Sequence, residues 1–332
     1  MTQIKHAIMN LVNAADSIAI TTHLNPDGDG YCSALALQRI LHCLGKGSVI
    51  WMDNDDLSRY AFLDDGVPSE VRIFTEQQLA PSYDLAFVLD CNSYDRIGAR
   101  RILLDNAKST VMLDHHMVEH NPIETDLSLV EPHYVSVGAI LHELFKAEIA
   151  SQDSHDKIYI GNCLYTTMLN DTNNYANANT DAAVFYLAAE LTTLGIKPYQ
   201  LYKEFFLNHS ADEMRYVGQT LATIELHQDR KVLFMHSTLK MSQENGIDPE
   251  SVMNITRWVQ GVRGLDAIVY FCEEEPGRFK LSLRSIKLDV NKIAVQYGGG
   301  GHTKASGCTI DGSLAEIKAK LLQDLRAALA NK

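Results

Sequence analysis

Ser109-Thr-Val-Met-Leu-Asp114-His115-His116 decides how this chain is read, because a strand-like run ends there in one carboxylate and two imidazoles. The apolar part predicts a buried strand, which places Asp114, His115 and His116 at one edge of a sheet. Neutral imidazole and carboxylate both ligate divalent cations. An isolated triplet of this kind is more often a polar loop facing water. Three other acidic segment ends in the first half of the chain count against that reading.

Working outward, Tyr83-Asp-Leu-Ala-Phe-Val-Leu-Asp90 is a continuous apolar run ending in an acid, as buried parallel strands read. Earlier still, Ser17-Ile-Ala-Ile-Thr-Thr predicts a strand. It is followed by His23-Leu-Asn-Pro-Asp27-Gly-Asp29-Gly30, which Pro and Gly mark as a loop. Apolar residues then recur at helical spacing from Tyr31 to Leu44. His23, Asp27 and Asp29 therefore lie at a strand's carboxyl end, where open α/β sheets build their sites. One Asp suffices to cap the helix. A His and two Asp so close together exceed that need.

Gly47–Trp51 and Val71–Phe74 predict further strands. Val135–Ala150 and Asp156–Leu169 predict helices, the second ending at Asn170-Asp171-Thr-Asn-Asn-Tyr175, and Thr180 is the expected N-cap of a helix to Leu194. His142-Glu143 has no second His four residues on, which excludes the zinc-protease helix. Strands alternating with helices predict an α/β fold with a parallel sheet and right-handed crossovers.

Gly195-Ile-Lys-Pro198 closes this first domain, expected over 1–195, and 196–228 is expected as a helical connector. A smaller mixed α/β domain, 229–332, is expected to follow. It holds a strand Lys231–His236, a helix Pro249–Val262 and an antiparallel pair, Leu265–Cys272 with Arg278–Arg284. A short helix Val290–Gln296 and a closing helix Leu314–Ala330 complete it. Between those helices stands Tyr297-Gly-Gly-Gly-Gly301-His302. Consecutive glycines let backbone N–H groups approach a phosphate as an anion nest, where a flexible linker is the plain alternative. His302, Lys304 and Arg284 could add cationic or hydrogen-bonding contacts.

Composition narrows the partners. The net charge is −13, with no block of Lys or Arg. A sequence-independent grip on long duplex nucleic acid needs a basic track, so short anionic substrates fit better. No apolar run is long enough for a membrane span. Met1–Asn13 reads as the start of an amphipathic helix, without the features of a signal peptide. Six cysteines show no C-x-x-C spacing, so reduced thiols and a cytoplasmic location are expected. A homodimer is compatible with these features.

His23, Asp27, Asp29, Asp90, Asp114, His115, His116 and Asp171 make up the candidate centre. Five carboxylates gathered in one place repel unless cations neutralise them. Two divalent ions accomplish this, and oxygen-rich ligation with some imidazole suits Mn or Mg. Such a pair forms a clamp for in-line attack at phosphorus.

In these motifs the chain resembles the DHH-family phosphoesterases, closest to the oligoribonuclease (nanoRNase) branch that also acts on 3′-phosphoadenosine 5′-phosphate. The motifs are His23-Leu-Asn-Pro-Asp27-Gly-Asp29, Asp90, Asp114-His115-His116 and Asp171-Thr172. In the C-terminal part they are Ser282-Leu-Arg284-Ser, Asp289-Val-Asn291 and Gly298-Gly-Gly-Gly-His302. The resemblance implies one Mn held by His23, Asp27 and Asp90, and another by Asp29, Asp90, His115 and Asp171. It gives Asp114 the task of orienting ligands and His116 a place at the scissile phosphate. It implies substrate contacts from Arg284, Gly299, Gly300, Gly301 and His302, with an active-site cleft between the domains. The implied activity releases mononucleotides from very short oligoribonucleotides or linear dinucleotides, or dephosphorylates nucleoside bisphosphates. A non-catalytic nucleotide sensor is the alternative, and it should have lost a ligand. Cys32, Asn173, Ala176 and Ser306 depart from the usual family residues, and none of them is a proposed ligand.

Overall fold

The inner strands of the first sheet are held by burial. Leu85–Leu89 is buried at every residue, as is all but the first residue of Ser109–Asp114. In the computed structural model the described residues are 1–53, 57–75, 81–117, 121–249, 252 and 255–330. They fall into two compact units, Met1–Asn208 and His209–Lys332. The division lies inside the stretch expected as a connector. There the helix Pro198–Phe206 belongs to the first unit and the helix Ala211–Ala222 to the second. Ser210 starts the latter with a capping box to Glu213, which satisfies two otherwise unpaired backbone donors.

The first unit carries β1 (Ile18–Thr21), β2 (Ser48–Met52), β3 (Val71–Ile73), β4 (Leu85–Leu89), β5 (Ser109–Asp114) and β6 (Leu127–Val130). Their order is β3-β2-β1-β4-β5-β6, and all pair in parallel. The chain winds outward from β1 to β3, then returns to lay β4 against the other side of β1. Loops leaving β1 and β4 thus part in opposite directions and open a crevice at their carboxyl ends. The helices Gly28–Cys43, Val137–Ala150 and Ser154–Thr172 pack together.

The second unit has β7 (Glu225–His227), β8 (Val232–Ser237), β9 (Ala267–Glu275), β10 (Arg278–Ser285), β11 (Gly300–His302) and β12 (Ala305–Asp311). Their order is β11-β12-β10-β9-β8-β7, antiparallel except for β8 with β9. Leu321 and Leu325 of the helix Leu314–Ala330 join its core with Phe234, Phe271 and Leu281.

Several expectations need correction. The cap of the helix Ala182–Thr193 is Asp181, not Thr180, because the Asp181 side chain accepts the Val184 N–H. The expected helix Pro249–Val262 lies partly outside the described residues, and its described part holds a 3-10 turn, Ile255–Trp258. The helix expected from Tyr31 begins at Gly28, since Asp27 already caps it. Part of the glycine run is strand: Gly300, Gly301 and His302 pair with Gly307, Ser306 and Ala305. A Cβ on Gly299 would lie 2.1 Å from the Gly307 carbonyl oxygen, and Gly301 has φ +133°. The close approach of the strands therefore requires glycine at both positions.

Candidate metal centre

The centre is built on the carboxyl ends of β1, β4 and β5 and the end of the helix Ser154–Thr172. Asp27 both caps the helix Gly28–Cys43 and faces the centre. Its Oδ1 accepts the Asp29 and Gly30 N–H groups at 2.9 and 3.3 Å and lies 3.8 Å from His23 Nε2. His23 Nδ1 bonds the Leu24 carbonyl at 2.7 Å, which directs Nε2 inward, 3.4 Å from Asp90 Oδ2.

Asp90 is 2% exposed and sits directly after β4 with φ +56°. A non-glycine residue in the left-handed region stores strain, and such residues cluster where side-chain placement matters. Its Oδ1 lies 3.6 Å from His115 Nε2 and 3.3 Å from His116 Nδ1. His115 Nε2 is also 3.1 Å from Asp171 Oδ2 and 3.6 Å from Asp29 Oδ2. The fully buried Asp29 accepts the N–H groups of Val137 (2.7 Å) and Gly138 (3.2 Å), so it rests on the positive end of the helix Val137–Ala150.

Asp114 is buried as the last residue of β5. Its Oδ1 accepts the His115 N–H (2.7 Å), the His116 N–H (3.1 Å) and His116 Nδ1 (2.9 Å). It thus orients the His116 imidazole from behind and holds the backbone of both histidines. Three groups of ligand atoms converge: His23, Asp27 and Asp90; Asp29, His115 and Asp171; and Asp90, His115 and His116.

The electrostatics reflect crowded negative charge. Burial pushes the Asp29 carboxyl well above its ordinary value, and the charges of Asp171 and Asp90 add to this. Burial likewise pushes Asp171 up to about 6, against the pull of the nearby His115 imidazole. On the histidines burial opposes charge, and the carboxylates overcome it. Asp27 and Asp90 raise His23 to about 10, Asp171 and Asp29 raise His115 to about 9, and Asp114 and Asp90 raise His116 to about 11. For Asp90 burial is again the largest influence, and the nearby His116 and His23 imidazoles outweigh it to hold the carboxyl well below its usual range.

The donor set fits a divalent cation. His23 Nε2, Asp90 Oδ1 and Asp171 Oδ2 are buried and form no hydrogen bond. Buried polar atoms are ordinarily satisfied, and these three are ligand types that face one another. Among the described residues, every proposed metal ligand is part of this centre.

Some of its parts were not legible in the sequence. Asn170 donates to Asp171 Oδ1 (2.8 Å) while its own Oδ1 accepts the Gly28 N–H (3.2 Å), fastening the two helix ends together. The Tyr134 carbonyl, 3.3 Å from His115 Nδ1, orients that ring. Only the Asn-rich turn hinted at the first, and backbone partners leave no sequence signal. In the second unit Arg284 lies on β10, its Nη1 donating to the Leu283 carbonyl at 3.1 Å. The His302 side chain lies outside the described residues.

Residues 17–169 match the DHH family, N-terminal domain, and residues 232–331 match the DHHA1 domain. Sheet, centre and domain pair define a metal-dependent phosphoesterase. The chain thus carries a DHH domain followed by a DHHA1 domain. It is 26% identical to the bifunctional oligoribonuclease and PAP phosphatase NrnA of Thermus thermophilus, over 94% of this chain and 90% of that protein. It is 23% identical to the protein of the same name from Mycoplasma pneumoniae, over 97% and 95%. Its fold is also similar to the crystal structure of an exopolyphosphatase-related protein from Bacteroides fragilis. That likeness has a TM-score of 0.81 at 18% identity, covering 100% of this chain and 96% of the other.

Proposed function

We propose that this chain is a Mn-dependent phosphodiesterase that releases mononucleotides from very short oligoribonucleotides or linear dinucleotides. The observation that carries the reading is the convergence of unsatisfied ligand atoms on Asp90. His23, Asp27 and Asp90 would hold one ion, and Asp29, Asp90, His115 and Asp171 the other, with Asp90 shared. Divalent cations there supply charge that neutralises phosphate oxygens and makes water acidic enough to be a nucleophile near neutral pH. The protein's own contribution is orientation. Asp114 fixes His116 through Nδ1, leaving Nε2 to exchange a proton with the leaving oxygen. Arg284, Gly299, Gly300, Gly301 and His302 would bind the rest of the substrate.

A second reading, dephosphorylation of 3′-phosphoadenosine 5′-phosphate, is supported by the names of the Thermus and Mycoplasma relatives. A cytoplasmic setting suits the six free cysteines. Among the described residues no helix is long and apolar enough to cross a membrane.

Product analysis with Mn on a 5′-phosphorylated dinucleotide, a five-nucleotide RNA, a long RNA and 3′-phosphoadenosine 5′-phosphate tests the reading. Fast mononucleotide release from the short RNAs with the long one spared is the expected result. Preference for the bisphosphate moves the function to the second reading, and no hydrolysis of any of them rejects both. Arg284→Ala should raise KM about tenfold with little change in kcat, since an interaction of equal strength in ground and transition states acts on binding alone.

A further inference from the structure

The loop that carries His23, Asp27 and Asp29 is held from the side by residues with no part in the centre. Arg100 is 1% exposed and lies in a 3-10 turn shortly after Asp90. Its Nη1 donates to the Trp51 carbonyl at 3.1 Å, the same carbonyl that accepts the Thr21 hydroxyl at 3.0 Å. Its Nη2 stands 3.2 Å from Asp53 Oδ1, just beyond β2. The other oxygen, Asp53 Oδ2, accepts the backbone N–H of Asn25 at 2.9 Å. One residue earlier, the Leu24 N–H donates to the Arg96 carbonyl at 2.7 Å, and the Leu24 side chain lies where a Cβ on Gly98 would meet it at 3.0 Å. Asn25 has φ +50°, a conformation that a non-glycine residue keeps only when its surroundings fix it.

We propose that Asp53 and Arg100 are positioning residues that preset the His23–Asp29 loop for metal binding, by holding the Asn25 N–H against the segment that follows Asp90. This rests on the metal reading of the centre. The guanidinium is anchored on the ends of β1 and β2 through Trp51, so it fixes which way the Asp53 carboxylate faces. The carboxylate in turn holds the loop at the residue midway between His23 and Asp27. Two of the ligand segments, the loop and the stretch after Asp90, are thereby set by one charged pair. Residues that orient metal ligands without touching the metal commonly change affinity by about 10- to 100-fold when replaced. A pair that only joined two strands would leave metal affinity unchanged.

The test titrates manganese alone into the metal-stripped full chain, by calorimetry and by electron paramagnetic resonance, for wild type, Asp53→Ala and Asp53→Asn. Metal-free melting curves show which variants are folded. Asp53→Ala is expected to weaken manganese binding about tenfold or more, most at the ion that His23 and Asp27 would hold, because Asn25 lies between those two ligands. Asp53→Asn keeps an acceptor for the Asn25 N–H and should show a smaller loss at the same ion. If Asp53→Ala does not fold, the loss in Asp53→Asn carries the test. Wild-type affinity at both ions in a folded variant, or a loss confined to the ion assigned to Asp29, His115 and Asp171, would overturn the proposal. Wild-type protein that binds no manganese would overturn the metal reading itself, and the proposal with it.

Discussion

The two ends of β4 carry carboxylates in opposite conditions. At its start, Asp84 has every acceptor in use: Oδ2 takes the Asp16 and Ser17 N–H groups, both at 3.0 Å, and the Ser17 hydroxyl at 3.1 Å, while Oδ1 takes Lys108 at 2.6 Å. At its end, Asp90 leaves Oδ1 without a hydrogen bond, in a strained backbone conformation and among imidazoles. Five buried apolar residues separate them. Both are acids flanking one strand, yet only one is paired with ordinary donors. A satisfied carboxylate fastens the fold, whereas a buried, unsatisfied one among other ligand types is kept for something that binds.

Replacing each acid should separate the two roles. Asp90→Asn is expected to lower kcat by about a thousandfold or more on a five-nucleotide RNA, because it removes the ligand that the two proposed ions would share. Chelation should lower the melting temperature of wild type but hardly that of Asp90→Asn. Saturation at a hundred times Kd stabilises a folded protein by about 2.7 kcal/mol, and the variant lacks that contribution.

Asp114→Ala should cost about 10- to 100-fold in kcat, since it releases the His116 imidazole and the backbone of both histidines without removing a proposed ligand. An effect as large as that of Asp90→Asn would show that Asp114 itself ligates metal.

Asp84→Asn should change kcat least, within about threefold, and act on acid stability instead. Lys108 and the backbone donors hold the Asp84 carboxyl well below its usual value. Its stabilising effect is therefore present above the ordinary carboxylate range and lost as pH falls through the depressed folded value. Melting temperatures measured from pH 7 downward should fall more steeply for wild type than for Asp84→Asn. Parallel curves would break the contrast between the two ends of the strand.

The same contrast explains what the sequence could show. Asp90, Asp114 and the His23 loop were legible because apolar runs end in them, and the pattern of a buried parallel strand carries its own terminus. Asp171 ends a helix, so only its Asn-rich surroundings marked it. β6 and β12 escaped notice for another reason. Leu127-Ser-Leu-Val is a four-residue edge strand, and Ala305-Ser-Gly-Cys-Thr-Ile-Asp is made largely of small residues that become a strand by pairing with β10. The glycine run read as loop because no local signal shows that another strand passes against Gly299. Asp53 and Arg100 were illegible as a pair, because their meeting depends on the winding of β2 and β4 about β1.

The measurement that bears most directly on the account is anomalous X-ray scattering at the manganese edge from crystals grown with the metal. Two peaks are expected, one among His23, Asp27 and Asp90 and one among Asp29, Asp90, His115 and Asp171, with Asp90 touching both. Manganese bound elsewhere, with no peak at Asp90, would contradict it.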